Sequence, residues 1–232
     1  MPWERDVVDA VVAALTPMAD PVKAPQMKAY MKDVAPFLGI QTPVRRRAVQ
    51  TATRPFGQPP AQAALALSAR ALFARPEREF AYAACDLIAK NIVVCDAEFL
   101  IDPVEELLTT ASWWDTVDSL GSGAVSPLCR HFPESRSVVL RWSASPDIWL
   151  VRAAIQHQRG WKHETDVPFV LSLCAAHAHE SEFFVQKAIG WALRDIARLD
   201  PKAAEEFCAA HPGLTRVATR EAERGLATPP QR

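Results

Sequence analysis

The stretch Trp113-Trp114-Asp115-Thr116-Val117-Asp118 is one of five related segments that together decide the fold. Its counterparts are Pro43-Val44-Arg45-Arg46-Arg47-Ala48, Glu79-Phe80-Ala81-Tyr82-Ala83-Ala84, Trp149-Leu150-Val151-Arg152-Ala153-Ala154 and Phe183-Phe184-Val185-Gln186-Lys187-Ala188. Their second members, Val44, Phe80, Trp114, Leu150 and Phe184, are 36, 34, 36 and 34 residues apart. A period of that size suits one helical hairpin per unit, and hairpins that stack in series form an α-solenoid. Alternating apolar and polar runs of strand length are absent, so the chain reads as all-α, an α-solenoid of stacked helical hairpin repeats. About six hairpins are expected, with a concave face for a ligand. Residues 1–226 form one repeat domain in this reading, and 227–232 form a disordered tail.

The last column of the repeat holds Ala48, Ala84, Ala154 and Ala188, but Asp118 in the middle unit. Small residues there let neighbouring helices approach, so an aspartate in that place points to a groove or cavity. Trp114 and Asp118 stand four residues apart and share a helix face. Aspartate is a weak helix former and is costly to bury unpaired, so packing accounts poorly for this stretch. Asp118 taken alone is equally readable as a helix cap or an arginine partner. Asp115, on a neighbouring face, reads as solvated, and Trp113 and Trp149 read as core aromatics.

Composition narrows the class without naming it. The 232 residues are 49% hydrophobic and 23% charged, ordinary values for a globular protein with a sizeable core. No apolar run is long enough for a bilayer, and the start Met1-Pro2-Trp3-Glu4-Arg5-Asp6 lacks the features of a signal peptide, so a cytoplasmic protein is expected. Five cysteines, odd in number and scattered through apolar pattern, read as reduced. The net charge of -1 announces no nucleic-acid partner, so such a partner must be argued from where cations lie.

Prolines punctuate the chain. Thr42-Pro43, Ser145-Pro146 and Asp200-Pro201 each read as an N-cap followed by proline in the first turn. Pro55-Phe56-Gly57-Gln58-Pro59-Pro60 reads as a surface linker, and Gly121-Ser122-Gly123 as a helix stop. Arg45-Arg46-Arg47 reads more readily as a solvated face than as a nucleic-acid contact. Cys174, His177 and His179 have no second ligand pair at zinc-site spacing, so no metal is assigned.

A second constellation lies in Phe183 to Arg194, where Lys187, Trp191 and Arg194 fall on one helical stripe. A cation, indole, cation stripe suits a phosphate backbone with a sugar beside it. Phe183 and Phe184 open the same helix and are placed among the DNA contacts. Arg152, at the repeat position of Arg46, offers a fork for a phosphate.

With these segments in place, the chain resembles the DNA alkylation repair family of HEAT-repeat DNA glycosylases, the AlkD-like proteins. The resemblance is carried by Met27 to Lys32 with Phe37 to Pro43, Pro76 to Phe80, Ser112 to Ser119, Asp147 to Ala154 and Glu182 to Arg194, in order across Ala24 to Glu221. It implies a monofunctional glycosylase that excises positively charged N3- or N7-alkylated purines from duplex DNA without a base-flipping pocket. It also implies that Trp114, Asp118 and Trp191 are catalytic, that Arg152 binds phosphate and that Tyr30 contacts DNA. A monomer is expected, acting on alkylated duplex DNA without metal or organic cofactor. The alternative is a non-catalytic scaffold that binds DNA or protein through the same surface.

Overall fold

A computed structural model describes residues Pro2 to Thr228. Every regular element among the described residues is helical, and none is long and apolar enough to cross a membrane. The chain divides into two compact units, Met1–Ala124 and Val125–Arg232.

The first unit contains α1 (Trp3–Leu15), α2 (Lys23–Tyr30), α3 (Thr42–Thr53), α4 (Gln62–Phe73), α5 (Arg78–Asn91), α6 (Glu105–Thr109) and α7 (Trp114–Leu120). α1 packs on α3 and α4, α4 on α5, and α5 on both α3 and α7. Its core is aliphatic: Val7, Val11, Leu15, Leu65, Leu72, Ile88, Leu100 and Leu108 are sealed from solvent. Each such side chain contributes about 1.5–3 kcal/mol through burial.

The second unit contains α8 (Ser126–His131), α9 (Arg136–Ser143), α10 (Ile148–Ile155), α11 (Val167–Ala176), α12 (Phe183–Ala197), α13 (Pro201–Ala210) and α14 (Arg216–Leu226). α12 is its axis, touching α10, α11, α13 and α14. Two glycines let α14 lie against it. A Cβ on Gly190 would stand 3.0 Å from the Ala218 Cα, and one on Gly225 only 2.6 Å from the Arg194 carbonyl. Gln186 is buried between them, donating to the His177 carbonyl and accepting from the Thr215 backbone and hydroxyl.

The five repeat segments fall in α3, at α5, on α7, in α10 and at the start of α12. Ala84, Ala154 and Ala188 are fully buried, as close helix packing requires, while Asp118 and also Ala48 are half-buried. The middle unit is also offset. Phe80 and Leu150 are the third residues of their helices, whereas Trp114 is the first of α7.

Several local expectations are corrected. The cap before α10 is Asp147, whose carboxylate accepts from the Trp149 and Leu150 backbone N–H groups; Ser145-Pro146 lies outside the helix. At α3, Thr42 is already helical and Gln41 holds the cap position. Asp200-Pro201 matches its expected role, with Asp200 accepting from Ala203 N–H. Gly121-Ser122-Gly123 does not stop the helix, because Gly121–Val125 winds on as a π-helical turn. Gly123 is needed there against α5, since a Cβ would meet the Ala89 side chain at 2.9 Å. Trp113 and Trp149 are half-buried; the fully buried indole is Trp142. Cys85, Cys95, Cys129 and Cys174 are buried, Cys208 is half-buried, and all five are free thiols. Of the expected tail, Ala227 and Thr228 close α14 by bonding to the Glu223 and Gly225 carbonyls, and the remainder lies outside the described residues.

Candidate active site

In the first unit, Trp114 and Asp118 stand one turn apart on α7, both half-buried. α7 has only seven residues and no side-chain cap at its start, so it is too short to hold its own geometry. Its first turn is fastened from α5 instead. The Arg78 guanidinium donates through Nε to Asp115 Oδ2 (3.0 Å), and through Nη2 to Asp115 Oδ1 (2.6 Å) and Thr116 Oγ1 (2.9 Å). The Tyr82 hydroxyl donates to the same carboxylate at 2.5 Å. Asp115 is therefore buried and paired, contrary to its expected solvation, because its partner comes from another helix 37 residues away. Burial opposes the charge on Arg78, yet Asp115 and Tyr82 hold its pKa above the ordinary value. Burial and the neighbouring carboxylate together push the Tyr82 phenol up.

Tyr30 ends α2 and is 73% exposed, free to meet a ligand. The Arg45-Arg46-Arg47 run is not uniformly solvated. Arg45 is buried over the Tyr82 ring and shares Asp86 with the exposed Arg46.

In the second unit the aromatic centre is Trp191, half-buried on α12 and ringed by cations. Arg159 Cζ lies 4.3 Å from the ring centre, Arg152 Cζ 5.2 Å, Lys187 Nζ 5.7 Å and Arg194 Cζ 5.9 Å. The structure thus brings Lys187, Trp191 and Arg194 together, as their spacing within one helix leads one to expect, with Arg152 beside them. It also adds Arg159, which sequence reasoning missed. Arg159 follows Arg152 by seven residues, a helical repeat distance, but it sits in the turns after α10, where helical spacing no longer applies.

These cations are not equivalent. Arg152 is almost wholly buried and donates to the Phe184 carbonyl at 2.7 Å, with the face of Trp191 beside its guanidinium. Lys187 and Arg194 both bond Glu221 of α14, at 2.6 and 3.0 Å, and Arg224 adds a third contact at 2.8 Å. Burial pushes the Glu221 carboxyl up, but Lys187, Arg194 and Arg224 outweigh this and hold it below the usual range. Arg159 is exposed, and its side chain donates to Gln156 Oε1 at 3.2 Å. Phe184 stacks at a tilt on Trp149, with 4.9 Å between centres, whereas Phe183 is 54% exposed.

A cavity of about 210 Å³ opens beside Trp191, lined among others by Gln158, Arg159, Asp195 and Arg198. Burial pushes the Asp195 carboxyl up, against the pull of Arg194, Arg159 and Arg198. His177 is engaged by Ser143 and Glu180, and no group of three or more potential metal ligands occurs among the described residues.

What this arrangement offers is an indole and carboxylate pair on one helix, and an indole surrounded by positive charge on another. The first opposes a developing cation, and the second suits a polyanion. Comparison with known proteins agrees in kind. The family model described as DNA alkylation repair enzyme matches residues 11–226. A solved structure described as a predicted DNA alkylation repair enzyme from Enterococcus faecalis is 28% identical, with a TM-score of 0.82 over 90% of this chain and 97% of that one. No curated protein matches.

Proposed function

Since the chain belongs to the DNA alkylation repair enzyme family, we propose that it is a monofunctional DNA glycosylase acting on cationic N3- or N7-alkylated purines in duplex DNA. The observation that carries this reading is the Trp114 and Asp118 pair on a helix turn fastened by buried bonds.

A purine alkylated at N3 or N7 already carries positive charge, so it departs without protonation by a general acid. The barrier then lies in the positive charge that builds on the deoxyribose as the glycosidic bond lengthens. A carboxylate at about 4 Å, in a medium of effective dielectric about 20, stabilises such a charge by roughly 4 kcal/mol, on the order of a thousandfold in rate. An indole face adds about 0.5–2 kcal/mol. Asp118 also suits orientation of the attacking water, whose proton it accepts as the C1′–O bond forms. Trp191 is assigned to the same chemistry by the family resemblance alone. Its surrounding cations suit the phosphates that flank a lesion.

The test is release of free base from a duplex carrying one 7-methylguanine, wild type against Asp118→Asn at equal folded concentration. A roughly thousandfold loss in rate, with duplex affinity kept, supports the reading. If the wild-type chain binds the duplex and an N3-alkylated control yet releases neither base, the enzyme reading fails and a non-catalytic DNA-binding scaffold takes its place.

A further inference from the structure

α5 opens on two charged side chains that are almost entirely buried, Arg78 at 3% and Glu79 at 0% exposure. They fasten two different segments of the first unit. Glu79 accepts from the backbone N–H groups of Leu38, Gly39 and Ile40 at 2.8–3.0 Å, while the Arg78 backbone N–H donates to the Pro36 carbonyl. Arg78 reaches the other way with its side chain, to the turn that precedes α7.

That turn is strained. Ala111 has φ +49, in the left-handed region that a residue with a Cβ rarely adopts. Such a conformation persists only where its surroundings over-determine it, and it concentrates at working sites. Here the surroundings are Arg78, whose Nη1 donates to the Ala111 carbonyl at 2.5 Å while Nε and Nη2 hold Asp115 and Thr116. One planar guanidinium thus fixes both sides of the α7 start, from Ala111 to Thr116. The Ser112 hydroxyl adds a bond to the Leu108 carbonyl behind it.

Stability alone explains this poorly. A buried ion pair is commonly replaceable by well-packed apolar residues at no loss, whereas a fork with several fixed acceptors specifies orientation. The orientation specified is that of α7 about its own axis, which aims Trp114 and Asp118 together.

We propose that Arg78 is a positioning residue for the base-excision chemistry: by gripping Ala111, Asp115 and Thr116 it sets the direction in which Trp114 and Asp118 face the DNA. This rests on the glycosylase reading above, and its test separates the two.

Arg78→Lys keeps the charge but cannot span three acceptors. The measurements are the single-turnover rate of 7-methylguanine release at saturating enzyme, duplex affinity and Tm. They are joined by fluorine NMR of protein labelled with 5-fluorotryptophan, in which Trp114→Phe assigns the Trp114 resonance. At a temperature well below either Tm, Arg78→Lys is expected to lose about a hundredfold in rate, the scale of a misplacement near 1 Å. Duplex affinity stays within about threefold, the range expected when transition-state contacts alone are lost, and the Trp114 resonance shifts or broadens. A fall in Tm with rate and resonance unchanged overturns the proposal, because the pair is then structural only. If Arg78→Lys does not fold, Thr116→Val removes one acceptor and carries the same readouts. If wild type releases no base, the glycosylase reading has failed on its own. The Trp114 resonance then decides: a shift keeps the positioning role for that turn, and an unmoved resonance overturns it.

Discussion

The Arg159 guanidinium carbon lies 4.3 Å from the centre of the Trp191 indole, nearer than Arg152, Lys187 or Arg194. Arg152 is buried on the Phe184 carbonyl, and the other two are bound to Glu221, so Arg159 is the exposed member of the group. Arg159→Ala is expected to weaken duplex binding at all sequences alike, because a phosphate contact carries no base information. The slope of log affinity against log salt should shrink by about 0.9, the value for one phosphate neutralised. Fluorescence anisotropy over a salt series measures this, and an unchanged slope would remove Arg159 from the DNA contacts.

His157 predicts a pH dependence of stability. It is buried among Trp161 and Phe169, with Nδ1–H donating to the Ala154 carbonyl at 2.7 Å and Nε2 accepting from the Gln158 amide at 3.0 Å. The amide is oriented by its other end, where Gln158 Oε1 accepts from Asp166 N–H at 2.7 Å. A second proton on the ring would break the Gln158 bond and place a charge in an apolar pocket. Burial accordingly holds the imidazole down at about 4. The unfolded chain, near 6.5, takes the proton first, so the stabilisation is complete above about pH 6.5 and is lost as pH falls towards 4. The whole effect is about 3 kcal/mol. Urea melts at pH 7.5 and 4.5 should differ by less in His157→Gln than in wild type, and equal differences would count against the assignment. These bonds make His157 a support of the α10 end.

Much of this architecture was legible in the sequence because helical repeats write themselves locally. The spacing of Val44, Phe80, Trp114, Leu150 and Phe184 reflects helix pairs that recur, and the burial of Ala84, Ala154 and Ala188 follows from the same register. The Lys187, Trp191 and Arg194 stripe was readable for the same reason, being spacing within one helix. What escaped was every relation between distant segments. Asp115 looks solvated until Arg78 arrives from α5, and Lys187 and Arg194 look free until Glu221 arrives from α14. Arg159 escaped for another reason. It leaves the helix and reaches Trp191 from a turn, where no periodicity reports direction.

Glu221 decides whether Lys187 and Arg194 belong to the DNA-binding group or to the packing of α12 on α14. Its buried carboxylate takes Lys187 Nζ at 2.6 Å, Arg224 Nη1 at 2.8 Å and Arg194 Nη1 at 3.0 Å, in a junction made close by Gly190 and Gly225. Glu221→Gln leaves three cations without their counter-charge. The cations left behind are partly exposed, so losing these charged hydrogen bonds costs about 1–3 kcal/mol, and in a chain of this size that is a fall of roughly 2–12 °C in Tm. DNA supplies the missing negative charge if Lys187 and Arg194 reach phosphates. In that case the salt slope of duplex binding steepens, by up to about 1.8 for two additional phosphates, and saturating duplex recovers part of the lost Tm. This change is opposite in sign to that expected for Arg159→Ala, so the two variants measured side by side control one another. A lower Tm with an unaltered salt slope would make Lys187 and Arg194 internal counter-ions of Glu221 and leave Arg159 to meet the phosphate backbone.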